Sequence, residues 1–363
     1  MSQLYSSFGR KALFFLDAEL AHGLSIKALS MGAHPRASAN QDSRLAVSLA
    51  GIDFPNPLGM AAGYDKNADV PDALLKMGFG HTEVGTVTPL PQPGNPKPRI
   101  FRLRSDEGVI NRLGFNSKGH ASARKNLLRR KGESGVVGVN IGANKESTDF
   151  AADYVLGVNE FADLATYFTV NISSPNTPGL RALQGADPLS DLLQRVSEAR
   201  HQAAETHGRS VPLFLKIAPD LNDQELDDIA KALSDSDFEA LIISNTTLSR
   251  EGLTSTNKSE AGGLSGKPLF ERSTVILAKM RLRLPREFPL IGVGGVHSAE
   301  TAFKKIEAGA SLVQLYSGLV YKGPGLPEDI LQGLIGYCDT EKLPSITEAV
   351  GRSAQDWAKV KLD

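Results

Sequence analysis

The sequence predicts an α/β fold built as one large (β/α)8 barrel of the triosephosphate isomerase (TIM) type, and three observations carry that prediction. Eight short apolar runs recur after residue 55, with Gly, Asn or another polar residue at or beside their ends. Helical patterns lie between them. Most of the runs are continuous rather than alternating, as expected of parallel strands covered on both faces. The length agrees: a bare barrel takes roughly 250 residues, so a chain of 363 residues leaves about 100 for additions. An open, doubly wound sheet is the competing arrangement; eight regular repeats favour closure.

The strand runs span residues 57–62, 82–87, 135–141, 167–172, 213–217, 240–245, 290–294 and 311–316. Helical patterns cover 72–77, 187–204 and 223–233. Asp187-Pro188 is a helix-start signal, because proline is tolerated in the first turn. Two interruptions break the rhythm. Prolines 89, 91, 93, 96 and 98 force an extended loop, and residues 100–112 then read as an inserted β-hairpin turning at 105–108. The second interruption is the polar, glycine-rich stretch 247–266. Both fall on the strand-end side, where barrels place active sites.

Before the barrel, Leu4, Tyr5, Phe8, Ala12, Phe15, Leu16 and Glu19 share a helical stripe, and Leu20, Leu24, Ala28 and Leu29 suggest a second helix after Gly23. Such a pair either docks on the barrel or lies in a lipid interface. The expected organisation is a helical pair over residues 1–40, a barrel over 41–340 and a tail over 341–363.

Composition excludes several classes. Hydrophobic residues at 41% and charged residues at 22% exclude a disordered chain. With 40 basic and 41 acidic residues, net charge is −1, so no nucleic-acid partner is expected. The lone Cys338 excludes an internal disulfide and a cysteine-based metal site, and no metal is expected. There is no apolar run of about 18 residues to span a bilayer. Arg10 and Lys11 before an apolar stretch mimic a signal peptide, but Asp17 and Glu19 interrupt it, and no export signal is expected.

Polar residues inside apolar strands are costly unless paired, so each is informative. Lys66, Asn140, Asn171, Lys216 and Ser244-Asn245-Thr246 all fall at or just beyond strand ends. If the strands share one mouth, two lysines and three asparagines converge there, which suits an electron-rich planar ligand with carbonyls and an anionic group. A buried asparagine alone often only satisfies backbone; convergence of the set argues for a site. Gly292-Val293-Gly294-Gly295 and Tyr316-Ser317-Gly318 follow the last two runs, where such barrels hold phosphate on backbone amides. Phosphosugar isomerases and aldolases share such loops, so the glycines alone leave the ligand open. Ser173 and Ser174 follow the fourth run and could supply a nucleophile, a base or only a turn. No histidine stands nearby in sequence, so a hydrolase triad is unsupported.

Specific motifs narrow this further. Asn171-Ile-Ser-Ser-Pro-Asn-Thr-Pro-Gly-Leu180, Gly85-Thr-Val-Thr-Pro89, Gly94-Asn-Pro-Lys-Pro-Arg99, Asn111-Arg-Leu-Gly-Phe115, Lys216-Ile-Ala-Pro-Asp220 and Gly262-Gly-Leu-Ser-Gly-Lys-Pro268 closely resemble dihydroorotate dehydrogenase in its membrane-associated, quinone-reducing class. The resemblance runs from about residue 5 to about residue 337. It implies FMN across the barrel mouth, held by Ala62, Gly63, Tyr64, Asp65, Lys66, Thr86, Asn140, Asn171, Lys216, Ser244, Gly266, Gly295, Tyr316 and Ser317. Ser244 stands where threonine is familiar in the family and keeps the hydroxyl. The resemblance also implies dihydroorotate over the flavin, against Lys66, Asn111, Arg112, Leu113, Gly114, Phe115, Asn171, Asn176, Asn245 and Thr246.

Ser174 resembles the base that takes the substrate C5 proton as hydride leaves C6 for the flavin. The soluble relatives use cysteine there, so serine itself points to the quinone class. A proton path past Thr177 and Phe115 is expected. The resemblance further implies an N-terminal pair of helices forming a tunnel from lipid to flavin, with His22, Arg102 and Tyr316 at its inner end and Arg102 preferred to Arg104. The expected partners are dihydroorotate and orotate, a membrane quinone and a peripheral membrane surface, with the chain acting as a monomer. The even charge balance makes apolar burial the main attachment. The lack of an Arg-rich transit segment favours the cytoplasmic face of a bacterial inner membrane.

Overall fold

The computed structural model describes residues 10–37, 42–177 and 179–362. Eight parallel strands close into a barrel: β3 (Leu58–Met60), β4 (His81–Val87), β7 (Val136–Ile141), β8 (Tyr167–Asn171), β9 (Leu213–Ile217), β10 (Ala240–Ile243), β12 (Leu290–Val293) and β13 (Leu312–Leu315), with β13 returning to β3. Each lies within one of the expected runs or within a residue of it. Every residue of β7, β8, β9, β10, β12 and β13 is buried, as continuous apolar runs require. Register aligns the polar strand ends: Gly85 pairs with Asn140 across β4 and β7, and Asn171 with Lys216 across β8 and β9.

Two small sheets flank the barrel. Strands β1 (Val47–Leu49) and β2 (Ile52–Phe54) form a hairpin absent from the sequence reading, because three-residue strands are too short to show a period. Phe54 packs edge-on against His81 at the start of β4, so this hairpin covers the N-terminal end of the barrel. The expected inserted hairpin is β5 (Ile100–Leu103) with β6 (Gly108–Asn111). The glycine-rich stretch supplies it with a third strand, β11 (Gly263–Gly266), antiparallel to β6. Leu103, Ile110, Leu253 and Leu264 give this sheet its own small core. The Tyr321 hydroxyl, in α10 (Ser317–Lys322), donates to the Gly108 carbonyl at 2.6 Å and so pins the sheet to the barrel.

The N-terminal helices are α1 (Arg10–Phe15) and α2 (Ala18–Ser30). They part at Asp17, not after Gly23 as the sequence suggests. The Asp17 carboxylate accepts from the Glu19 and Leu20 amides, an N-cap that outweighs the helix-weakening glycine. Of the expected first stripe, Leu4, Tyr5 and Phe8 lie outside the described residues, as does Pro178 of the fourth-strand motif. Ala21 and Leu29 are buried against the barrel, whereas Phe15 is 88% exposed and Leu16, Leu20, Leu24 and Met31 also face outward. Toward the C-terminus, Leu343, Ile346, Ala349 and Ala354 are buried, and Trp357 packs edge-on against Phe270.

One buried ion pair fixes α2 to the proline-rich loop. Arg99 Nη2 lies 2.6 Å from Glu19 Oε1 and its Nε donates to Oε2 at 3.0 Å. Its Nη1 donates to the Pro93 and Asn95 carbonyls. Beside this guanidinium the Glu19 carboxyl is held below the usual range. Arg99→Met leaves the carboxylate and both carbonyls without that donor, so a loss of about 2 kcal/mol in stability is expected. Denaturant unfolding checks it; an unchanged midpoint contradicts it.

Candidate active site

The strand ends open into one cleft. From β3 and its loop come Ala62, Gly63 and Lys66; from β4, β8, β9 and β10 come Thr86, Asn171, Lys216 and the Ser244-Asn245-Thr246 run. The hairpin and its following loop bring Asn111, Leu113, Gly114 and Phe115, and the loop after β8 brings Ser174 and Asn176. β11 ends in Gly266, and beyond β12 and β13 come Gly295, Tyr316 and Ser317. All but four of the residues expected to bind the two ligands therefore converge on one cavity.

A hydrogen-bonded floor lies beneath it. Asn171 Nδ2 donates to Thr86 Oγ1 at 2.9 Å and to Asn140 Oδ1 at 3.2 Å, while its Oδ1 accepts from Ser173 Oγ at 2.9 Å. Asn140 Nδ2 donates to Glu83 Oε1 at 2.7 Å. Glu83, fully buried, also accepts from Gln314 Nε2 at 3.1 Å and stands 3.8 Å from Lys216 Nζ. Each amide is thus oriented by another polar group, as a low-dielectric site demands.

The reactive positions are held from several sides. Ser174 is 5% exposed, and its Oγ accepts from the Asn176 amide at 3.3 Å. Asn176 Nδ2 reaches back to the Asn111 carbonyl at 3.2 Å, joining this loop to the hairpin. Arg181 Nη1 pairs with Asp220 at 3.0 Å, while its Nε and Nη2 donate to the Ser173 and Thr246 carbonyls. One guanidinium thus locks the loops after β8 and β10. Lys66 Nζ donates to Asn116 Oδ1 at 2.8 Å, and burial, with Arg99 nearby, lowers its pKa to about 8. Thr246 Oγ1 and Thr177 Oγ1 are buried with no hydrogen-bond partner among the described residues.

At the other end, Gly294 and Gly295 have φ of 109° and 75°. A Cβ on Gly295 would lie 2.4 Å from Phe270 Cα, so only glycine permits this turn. It presents backbone to the cleft beside Tyr316 and Ser317.

Four expected contacts lie off the cleft. The Asp65 carboxylate is taken up by the Asp69 and Val70 amides at 2.7 and 2.8 Å; burial raises its pKa to about 6. Tyr64 donates to Ser25 Oγ on α2. Arg112 pairs with Glu260 at 2.7 Å and stacks 4.4 Å over Phe101. Asn140 belongs to the floor. Among the expected quinone-site residues, His22 Nδ1 lies 3.3 Å from the Tyr316 hydroxyl, and both rings meet Tyr64 edge-on. Burial, reinforced by Lys66, lowers the His22 pKa to about 4, leaving a neutral imidazole. Arg102 sits elsewhere on the seam, donating to the Leu16 carbonyl and lying 4.7 Å over Phe14, a ring that Arg104 shares at 5.5 Å.

Sequence reading missed Asn116, Ser265, Glu83, Gln314 and Arg181. Glu83 carried a signal, a carboxylate inside an apolar run. Arg181 carried none, since its partners come from loops distant in sequence.

Comparison with known proteins agrees with the geometry. A family model described as dihydroorotate dehydrogenase matches residues 44–337. Proteins named dihydroorotate dehydrogenase (quinone) from Brucella melitensis and Brucella anthropi are 60% and 59% identical over 363 residues, covering 100% of both chains. Two solved structures of DHODH from Eimeria tenella are similar. The complex with ferulenol has a TM-score of 0.88 at 38% identity, covering 92% of this chain and 95% of that one. The ligand-free form has 0.89 at 37%, covering 93% and 99%. The chain belongs to the dihydroorotate dehydrogenase family, in its quinone-dependent class.

Proposed function

We propose that the protein oxidises dihydroorotate to orotate in pyrimidine biosynthesis, on an FMN that a quinone reoxidises. One observation carries this reading: a single cleft joins a glycine turn suited to phosphate with a lysine-and-amide pocket that contains a buried serine. The residues present fit FMN. Gly295 and Ser317 suit its phosphate, while Thr86, Asn171, Lys216 and Ser244 suit the polar edge of its ring. The flavin, when bound, supplies the two-electron acceptor.

This chain's own residues do the rest. Lys66 holds the substrate carboxylate, and Asn111, Asn176, Asn245 and Thr246 bond the ring carbonyls and N–H groups. Ser174 Oγ takes the proton from C5. The Thr177 hydroxyl, buried without a hydrogen-bond partner among the described residues, stands three residues on and carries the proton outward past Phe115. A serine is a weak base near neutrality, so this outlet matters.

The outward face of α2 fits a peripheral attachment. Leu20 and Leu24 on α2 are exposed, as are Phe15 at the end of α1, Leu16 between the helices and Met31 just after α2, as an interfacial segment requires. Among the described residues no helix is long and apolar enough to cross a membrane. The seam behind this face, where His22 meets Tyr316, is the proposed quinone approach, with Arg102 at its rim. A bacterial cytoplasmic face is the proposed location.

Orotate formation from dihydroorotate with a long-chain quinone tests the reading, followed as a function of pH. Lys66 is charged below about pH 8 and neutral above it, so binding the anionic substrate requires proton uptake at higher pH. KM for dihydroorotate is expected to rise above pH 8, by up to about ten-fold per pH unit. A KM that stays flat to pH 10 contradicts the role given to Lys66.

A further inference from the structure

Lys305, in α9 (Ala299–Glu307), is wholly buried. Its Nζ lies 2.8 Å from Ser273 Oγ and 3.0 Å from Thr274 Oγ1, and 5.2 Å from the Phe270 ring centroid. Both hydroxyls have carbonyls to donate to. Thr274 Oγ1 lies 2.6 Å from the Phe270 carbonyl, and Ser273 Oγ lies 2.8 Å from that of Leu269 and 3.1 Å from that of Gly294. Each therefore faces Lys305 as an acceptor, and so does the aromatic face. Three acceptors match the three N–H bonds of an ammonium, whereas a neutral amine would have to draw a hydroxyl proton away from its carbonyl.

Among the described residues no anion faces this charge. Burial alone drives the Lys305 pKa well down, with no ionisable group close enough to oppose it. A buried cation without a counter-charge is strongly unfavourable. What the pocket adjoins is the turn at the phosphate end of the cleft. A Cβ on Gly292 would lie 3.0 Å from Lys305 Cδ, Ser273 reaches the Gly294 carbonyl, and Phe270 packs under Gly295. His297 Nδ1 approaches the same turn, 2.7 Å from the Gly295 carbonyl. The lysine thus stands behind the turn and the cleft in front of it.

We infer that Lys305 is the remote counter-charge for the flavin phosphate, a positioning residue that acts through the Gly294–Gly295 turn and makes the site prefer FMN to riboflavin. The inference rests on the flavin reading above. In a low-dielectric interior, charges separated by one layer of backbone still interact appreciably.

The test compares Kd for FMN and for riboflavin, by fluorescence on flavin exchange, in the wild type, K305M and Thr274→Val. The second variant is isosteric and removes one acceptor, so it informs even if K305M does not fold. K305M should weaken FMN by at least about ten-fold and Thr274→Val by a smaller factor, with riboflavin little changed in both. Equal losses for the two flavins would assign Lys305 a packing role and overturn the inference, as would no change in either. A wild type that binds neither flavin would overturn this inference and the flavin reading together.

Discussion

Ser174→Ala is expected to slow reduction of the bound flavin by dihydroorotate about 100- to 10,000-fold, the usual contribution of a general base, while FMN content stays that of the wild type. The separation of effects follows from position. Ser174 lies on the loop after β8 with Asn176, at the hairpin side of the cleft, whereas Gly295 and Ser317 line the end proposed for the phosphate. Its hydroxyl accepts one backbone amide and orients no other part of the floor. Removing one oxygen therefore removes the base without unseating the flavin. Rapid mixing under anaerobic conditions reads the rate from flavin absorbance. A rate near that of the wild type would mean that another group takes the proton.

Deleting residues 1–35 is expected to spare flavin reduction and to cripple reoxidation by long-chain quinone. The side chains lining the catalytic cleft all come from residue 61 onward, so the first half-reaction does not need α1 or α2. The second is expected to, because those helices carry the exposed Phe15, Leu20 and Leu24 and the seam at His22. Burying two leucines in lipid contributes about 3 kcal/mol or more, equivalent to more than about 100-fold in membrane-bound population. Long-chain quinone turnover in vesicles should fall accordingly, while a water-soluble short-chain quinone remains a substrate. Unchanged long-chain turnover would refute the role of the helices.

The barrel was legible because its strands are buried on both faces and read as unbroken apolar runs. The polar residues at their ends were legible for the same reason: Lys216 in Leu-Phe-Leu-Lys-Ile stands out against its neighbours. Features that depend on contacts between distant segments were not. Residues 263–266 read as loop, since two glycines hide a strand that becomes one only by pairing with β6. The N-terminal helices were legible, but their orientation was not. Leu20, Leu24, Ala28 and Leu29 suggest a second helix that either docks or lies in lipid; in the fold Ala21 and Leu29 are buried and Glu19 turns to Arg99, while Leu20 and Leu24 stay exposed. Asp65 shows the same limit: an aspartate beside a binding lysine reads as a ligand contact, and only the fold shows its carboxylate capping the following turn.

The most direct measurement is an anaerobic titration of the purified, yellow protein with dihydroorotate. The cleft as described should bleach the flavin absorbance with about one equivalent of substrate per bound FMN and release orotate, and added quinone should restore the colour. A colourless protein that binds no flavin, or a yellow one that dihydroorotate leaves unbleached, would contradict the assignment.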